Sequence, residues 1–154
     1  MHCTTEVELV FTLAALTAAG PAPGIQDRIE HAGICPDHLL VDIAAMGLAV
    51  VSQPHFIAER GDQYLAEVET GLHSELYRLA SFQRAGVTLA AGSDAPFGSL
   101  DPWAAMAAAV SRRTASGQSI SAGEALGPEQ ALQLFLCDSM ILSSQRTIKA
   151  GSPA

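Results

Sequence analysis

Three polar side chains stand where apolar segments stop. His2, His31 and Asp94 are 29 and 63 residues apart, spacings close to one and two strand–helix units of about 30 residues each. Gln53, at the end of the apolar run "LAVVSQP", occupies the step between them. In a parallel sheet or barrel such residues emerge at one rim, at the carboxyl ends of the strands, where α/β proteins place catalytic groups. Imidazole and carboxylate converging there are ligands for a divalent metal, with zinc, iron and nickel all compatible with the donor set. A plainer reading stands beside this one for each residue. A histidine at a strand end can be a hydrogen-bonded structural group, and Asp94 before Ala95-Pro96 suits a turn. His2, at the chain's start, reads on composition as a frayed end.

The elements that must position these residues alternate. "EVELVFTLAALTAAG" has helical apolar spacing behind Thr4 and Thr5 as candidate caps, and stops at Gly20 with Pro21 beyond. After the loop "PAPGI", the segment "DRIEHA" puts Ile29 and His31 on one face and Arg28 and Glu30 on the other. A second helix is expected over 36–47 and a buried strand over 48–54. The polar stretch from His55 to Gly71 reads as a loop long enough to be a lid. A helix over 74–86, a strand "VTLAAGSD", and helices over 101–117 and 127–140 follow, then a turn-rich tail. This order predicts an α/β protein with a parallel sheet flanked by helices.

Whole-chain numbers narrow the partners. The 154 residues are 49% hydrophobic, enough for a sizeable core, and 16 acidic against 8 basic residues give a net charge of −8. That balance argues against nucleic acid or an anionic membrane as partner. No leader peptide and no apolar run of about 18 residues is present, so a soluble, cytoplasmic protein is expected. Cys3, Cys35 and Cys137 are odd in number and widely spaced, which favours reduced thiols over a disulfide framework.

The segments "RIEHA", "VVSQPHF", "GVTLAAGSDAPFGSLDPWAAMAAAVSRR" and "EALGPEQAL" resemble, in order and over nearly the whole chain, the amidohydrolase superfamily. The similarity is to the amidohydrolase-3-like branch, which includes N-substituted formamide deformylases and related imine, amide and cyclic-amide hydrolases. Its members have a metal-dependent hydrolase (β/α)8 TIM barrel with a small β-sandwich from both chain ends. The resemblance implies that residues 1–140 form about strands five to eight of such a barrel. It also implies that 141–154 are a tail leading to a missing sandwich segment. His2 would be the metal ligand of strand five and His31 that of strand six. Asp94 would be the strand-eight aspartate that binds metal and relays the proton. Gln53 to His55 match the strand-seven segment near the substrate. The cofactor implied is one or two divalent ions, Zn2+ first, with Fe2+ or Ni2+ as alternatives. The substrate implied is a small amide, formamide or cyclic amide, with His55, Arg60 or Tyr64 reaching it from the segment that follows strand seven. Phe97 and Trp103 are candidates for a pocket wall, with core packing the alternative for Trp103.

The departures matter as much. The family's strand-one His-x-His pair is absent, and so is its strand-four bridging lysine or glutamate. The single lysine, Lys149, lies in the tail. An internal Val or Met codon read as the start would explain a chain of this extent, making it a fragment that is inactive alone. Two readings therefore stand: a C–N hydrolase active as part of a whole barrel, and a non-catalytic half-barrel remnant or assembly module. The partner in either case is an N-terminal half or a second copy. An upstream segment carrying the missing motifs would distinguish them.

Overall fold

The computed structural model describes residues 1–20, 26–147 and 150–151. The "PAPGI" loop and Lys149 lie outside them. Four strands, β1 (His2–Cys3), β2 (Arg28–His31), β3 (Ala49–Ser52) and β4 (Thr88–Ala91), form one sheet in the order β1-β2-β3-β4. All three pairings are parallel. Between and after them run α1 (Glu6–Ala19), α2 (Asp37–Ala45), α3 (His55–Glu67), a 3-10 turn (Thr70–Glu75), α4 (Ala80–Arg84), α5 (Pro102–Ser111) and α6 (Pro128–Gln133). The expected α/β class with a parallel sheet is what forms.

Strand alternation sorts the two faces of the sheet. Ile29, Val50 and Leu89 lie in register and turn towards Leu9, Leu13, Leu39, Ile43 and Phe82 from α1, α2 and α4. The other face carries the smaller Ala49, Val51 and Ala90, packed under Leu142 and Cys137. Arg28 and Glu30 pair there at 2.6 Å. The α1 helix starts as its sequence dictates. Thr5 is the N-cap in a capping box with Glu8, and Gly20 closes the helix at φ 71. Glu8 Oε2 accepts from the Thr4 and Thr5 amides at 2.7 and 2.9 Å. These backbone donors hold the Glu8 carboxyl down at about 2.

Several element expectations are corrected. Residues 55–67 are helix, not an open lid, because Phe56, Ile57 and Gly61 form a buried stripe. Gly61 permits the close approach of α3 to the segment after α5: a Cβ there would lie 2.6 Å from Thr114 Cγ2. The helix expected over 74–86 is reduced to α4. Leu76 and Tyr77 leave helical geometry, with Tyr77 at φ 44, because their carbonyls are taken by Arg112 at 2.8 and 3.0 Å. Arg112 is fully buried and itself left-handed at φ 50, which ends α5 at Ser111 rather than near residue 117. The last helix spans only Pro128–Gln133. The first residues are not frayed: Glu30 N donates to Met1 O at 2.7 Å, and His2 pairs in β1.

Candidate metal centre

Gln53 organises the site from beneath. It follows β3, is 2% exposed, and its Nε2 donates to Val51 O at 3.2 Å. That bond turns Oε1, an acceptor only, towards His31 Nδ1 at 2.7 Å. The His31 proton is thereby fixed on Nδ1, leaving a lone pair on Nε2. His2 Nδ1 lies 3.0 Å from that nitrogen, and the rings meet edge to face with centroids 4.4 Å apart. With that tautomer the bond runs from His2 Nδ1–H to the His31 lone pair.

The same arrangement fits two ligands of one divalent ion. Nitrogens bound at 2.0–2.1 Å with tetrahedral or octahedral angles between them lie about 2.9–3.4 Å apart. Gln53 then plays the outer partner that fixes a ligating imidazole's tautomer. Among the described residues, however, no three His, Cys, Asp or Glu side chains come together as a metal-holding group. The imidazole pair fits a metal as part of a ligand set that needs a further donor.

Asp94 is placed where such a donor could come from. It lines one cavity of about 590 Å3 together with His2 and His31. Phe56, Tyr64, Tyr77 and Phe97 supply aromatic walls, and Ile34, Val68 and Leu76 extend the apolar lining. Three of the non-glycine residues with left-handed backbone line it: His31 (φ 76), Tyr77 (φ 44) and Asp94 (φ 52). Such conformations cost about 1–3 kcal/mol each and collect at functional sites. Tyr64 donates to Tyr77 at 3.4 Å, and burial pushes both phenols up, so they stay protonated donors in the cavity.

The remaining sequence candidates take other places. His55 is 1% exposed, its Nε2 donates to Ser93 O at 3.1 Å, and burial lowers its pKa. It does not line the cavity. Arg60 lies 3.7 Å over the Phe97 ring centroid and donates to Phe97 O at 3.0 Å. Trp103 is 72% exposed, so it neither packs in the core nor lines this cavity. Tyr77 and Arg112 were invisible to spacing arguments. The pair is 35 residues apart in sequence, and only the fold joins them.

The Amidohydrolase family model matches residues 1–141. "Putative amidohydrolase YtcJ" of Bacillus subtilis (strain 168) is 26% identical over 138 residues, covering 88% of this chain and 26% of that protein. The N-substituted formamide deformylase of Arthrobacter pascens is 29% identical over 109 residues, covering 70% of this chain and 20% of that one. The chain therefore spans about a quarter or less of these relatives' length. Among solved structures, an uncharacterized metal-dependent hydrolase from Pyrococcus horikoshii OT3 matches with TM-score 0.75 and 27% identity, over 87% of this chain and 27% of that chain. Its counterpart from Pyrococcus furiosus matches with TM-score 0.72 and 27% identity, over 87% of this chain and 26% of that chain. On the family match across 1–141, the chain belongs to the amidohydrolase family.

Proposed function

We propose that this chain is the C-terminal half of a (β/α)8 barrel whose whole form hydrolyses a C–N bond of a small amide, formamide or cyclic amide. His2, His31 and Asp94 are the metal ligands it contributes, and Asp94 is also the proton relay. The observation that carries the reading is the His2–His31 nitrogen pair at 3.0 Å, backed by Gln53 at 2.7 Å, on a cavity shared with Asp94. A divalent ion, zinc first, with iron or nickel as alternatives, supplies polarisation of the scissile carbonyl and a more acidic water.

The chain's own residues do the rest. Gln53 keeps the His31 lone pair aimed outward. Asp94 is exposed on the cavity wall, so its carboxylate can take a proton from the attacking water and return it to the leaving nitrogen. The oxygen forms the new bond to carbon, the C–N bond breaks, and amine and acid leave. The four aromatic walls favour a substrate whose amide carries an apolar substituent, and exclude water around it. Arg60, bonded to the Phe97 carbonyl, shapes that wall from behind. The three free cysteines support a reducing compartment, the cytoplasm.

A second reading has its own observation. The described residues assemble no three-ligand group, which favours a non-catalytic module that completes itself with an N-terminal half or a second copy. The test is to read the gene in frame upstream and express the uninterrupted product with zinc. Amine release is then followed from N-substituted formamides, simple amides and cyclic amides. The hydrolase reading predicts turnover that falls by about 10²-fold or more in Asp94→Asn. A folded, zinc-loaded product that cleaves none of them, or an Asp94→Asn variant with full rate, supports the module instead.

A further inference from the structure

Asp94 has a demanding task and little of its own to hold it. None of the hydrogen bonds among the described residues uses its carboxylate, and its backbone sits at φ 52. Its own carbonyl is the acceptor of the turn that follows, from Phe97 N at 2.9 Å and Gly98 N at 3.1 Å. Whatever fixes the carboxylate therefore acts on the loop.

The helix α3 grips that loop on both sides of Asp94. Before it, His55 Nε2–H donates to Ser93 O at 3.1 Å. After it, Arg60 donates to Phe97 O at 3.0 Å while covering the Phe97 ring. Glu59 Oε1 accepts from Ser99 N at 3.2 Å. Gly98 closes over His55 so tightly that a Cβ there would collide with His55 Nε2 and the Ser93 carbonyl. His55 is 1% exposed and its Nδ1 has no partner in the described structure. A buried orphan nitrogen destabilises a fold, and an apolar side chain would fill the same space without it. What the imidazole adds is a rigid, neutral donor one residue before Asp94.

We propose that His55 is a positioning residue for Asp94, holding the Ser93 carbonyl so that the carboxylate faces the His2–His31 pair. This rests on the reading of Asp94 as a metal ligand, and it gives His55 a role other than the substrate contact expected from the sequence. Arg60 and Glu59 complete the clamp from the far side of the turn.

Zinc affinity of the full chain, measured by competition with a chromogenic chelator, tests this through a double-mutant cycle. His55→Leu removes the donor and keeps the bulk, and His55→Gln restores a neutral donor of similar reach. Each is made with and without Asp94→Ala, and folding is checked by circular dichroism. Loss of an outer-shell partner predicts zinc binding about tenfold weaker in His55→Leu. His55→Gln is expected within about threefold of the parent, and the His55→Leu effect should vanish in the Asp94→Ala background. Parent-like affinity in His55→Leu, or an equal loss that persists without Asp94, overturns the positioning role alone. No zinc binding by the parent chain, or no effect of Asp94→Ala, overturns the ligand reading and this inference with it. If His55→Leu does not fold, Arg60→Met, which keeps the stem over Phe97, is put through the same cycle with the same two outcomes.

Discussion

Replacing Gln53 by leucine separates the site's support from the ligands proposed for it. Gln53 and His31 are 2% and 3% exposed, so water cannot replace the 2.7 Å bond between them. The substitution leaves the His31 Nδ1–H buried without an acceptor, at a cost of about 1–3 kcal/mol. It also removes the donor to Val51 O. For a domain of this size each kcal/mol lowers Tm by about 2–4 °C, so a fall of roughly 2–12 °C is expected in a thermal melt. The imidazole also loses its fixed tautomer, which predicts zinc binding weaker by about 10–100-fold. Melts with and without zinc, together with chelator competition, read both effects on one preparation. A Gln53→Leu chain that keeps both the parental Tm and a zinc affinity within about twofold would refute the reasoning.

Other perturbations test the scaffold. Arg112→Met strands the Leu76, Tyr77 and Ile120 carbonyls in the core and should cost about 3 kcal/mol or more, measured by urea unfolding; a loss under 1 kcal/mol would contradict its anchoring of the Tyr77 wall. Gly61→Val forces a side chain into Thr114 and Ile120 and should destabilise by about 1–3 kcal/mol through overpacking, with parental stability the contrary result. Glu8→Gln tests the α1 cap through pH. Its carboxyl is held at about 2 against an ordinary 4.5, so its stabilisation is complete above the ordinary value and is lost as pH falls from about 4.5 through 2. Exposure screens the effect to about 1 kcal/mol, and the gap between parent and variant in denaturant should be open at pH 6 and close towards pH 2; a gap independent of pH would contradict the assignment.

What the sequence disclosed follows the reach of each interaction. The α1 boundaries were legible because the Thr5–Glu8 box and Gly20 act within one turn of the chain. The parallel sheet was legible because β2, β3 and β4 end where polar residues begin. The helix α3 was missed because its buried stripe counts a glycine, Gly61, as a core residue, and Glu59, Arg60, Asp62 and Gln63 dilute the pattern. The helix over 74–86 was overdrawn for the opposite reason. Leu76, Tyr77, Leu79 and Phe82 are apolar because they are buried, and Arg112 from a distant segment takes the carbonyls that a helix would use. At the site, His2, His31 and Asp94 could be picked out as rim residues. The inward hold of Gln53 on His31 and the attachment of His55 to Ser93 depend on side-chain direction, which spacing does not encode.

The decisive measurement is a calorimetric zinc titration of the purified chain beside His31→Ala. If His2 and His31 are ligands steadied by Gln53 and joined by Asp94, the parent binds zinc saturably at one ion per chain and His31→Ala abolishes that binding. A parent chain with no saturable binding, or identical isotherms for parent and His31→Ala, would contradict it.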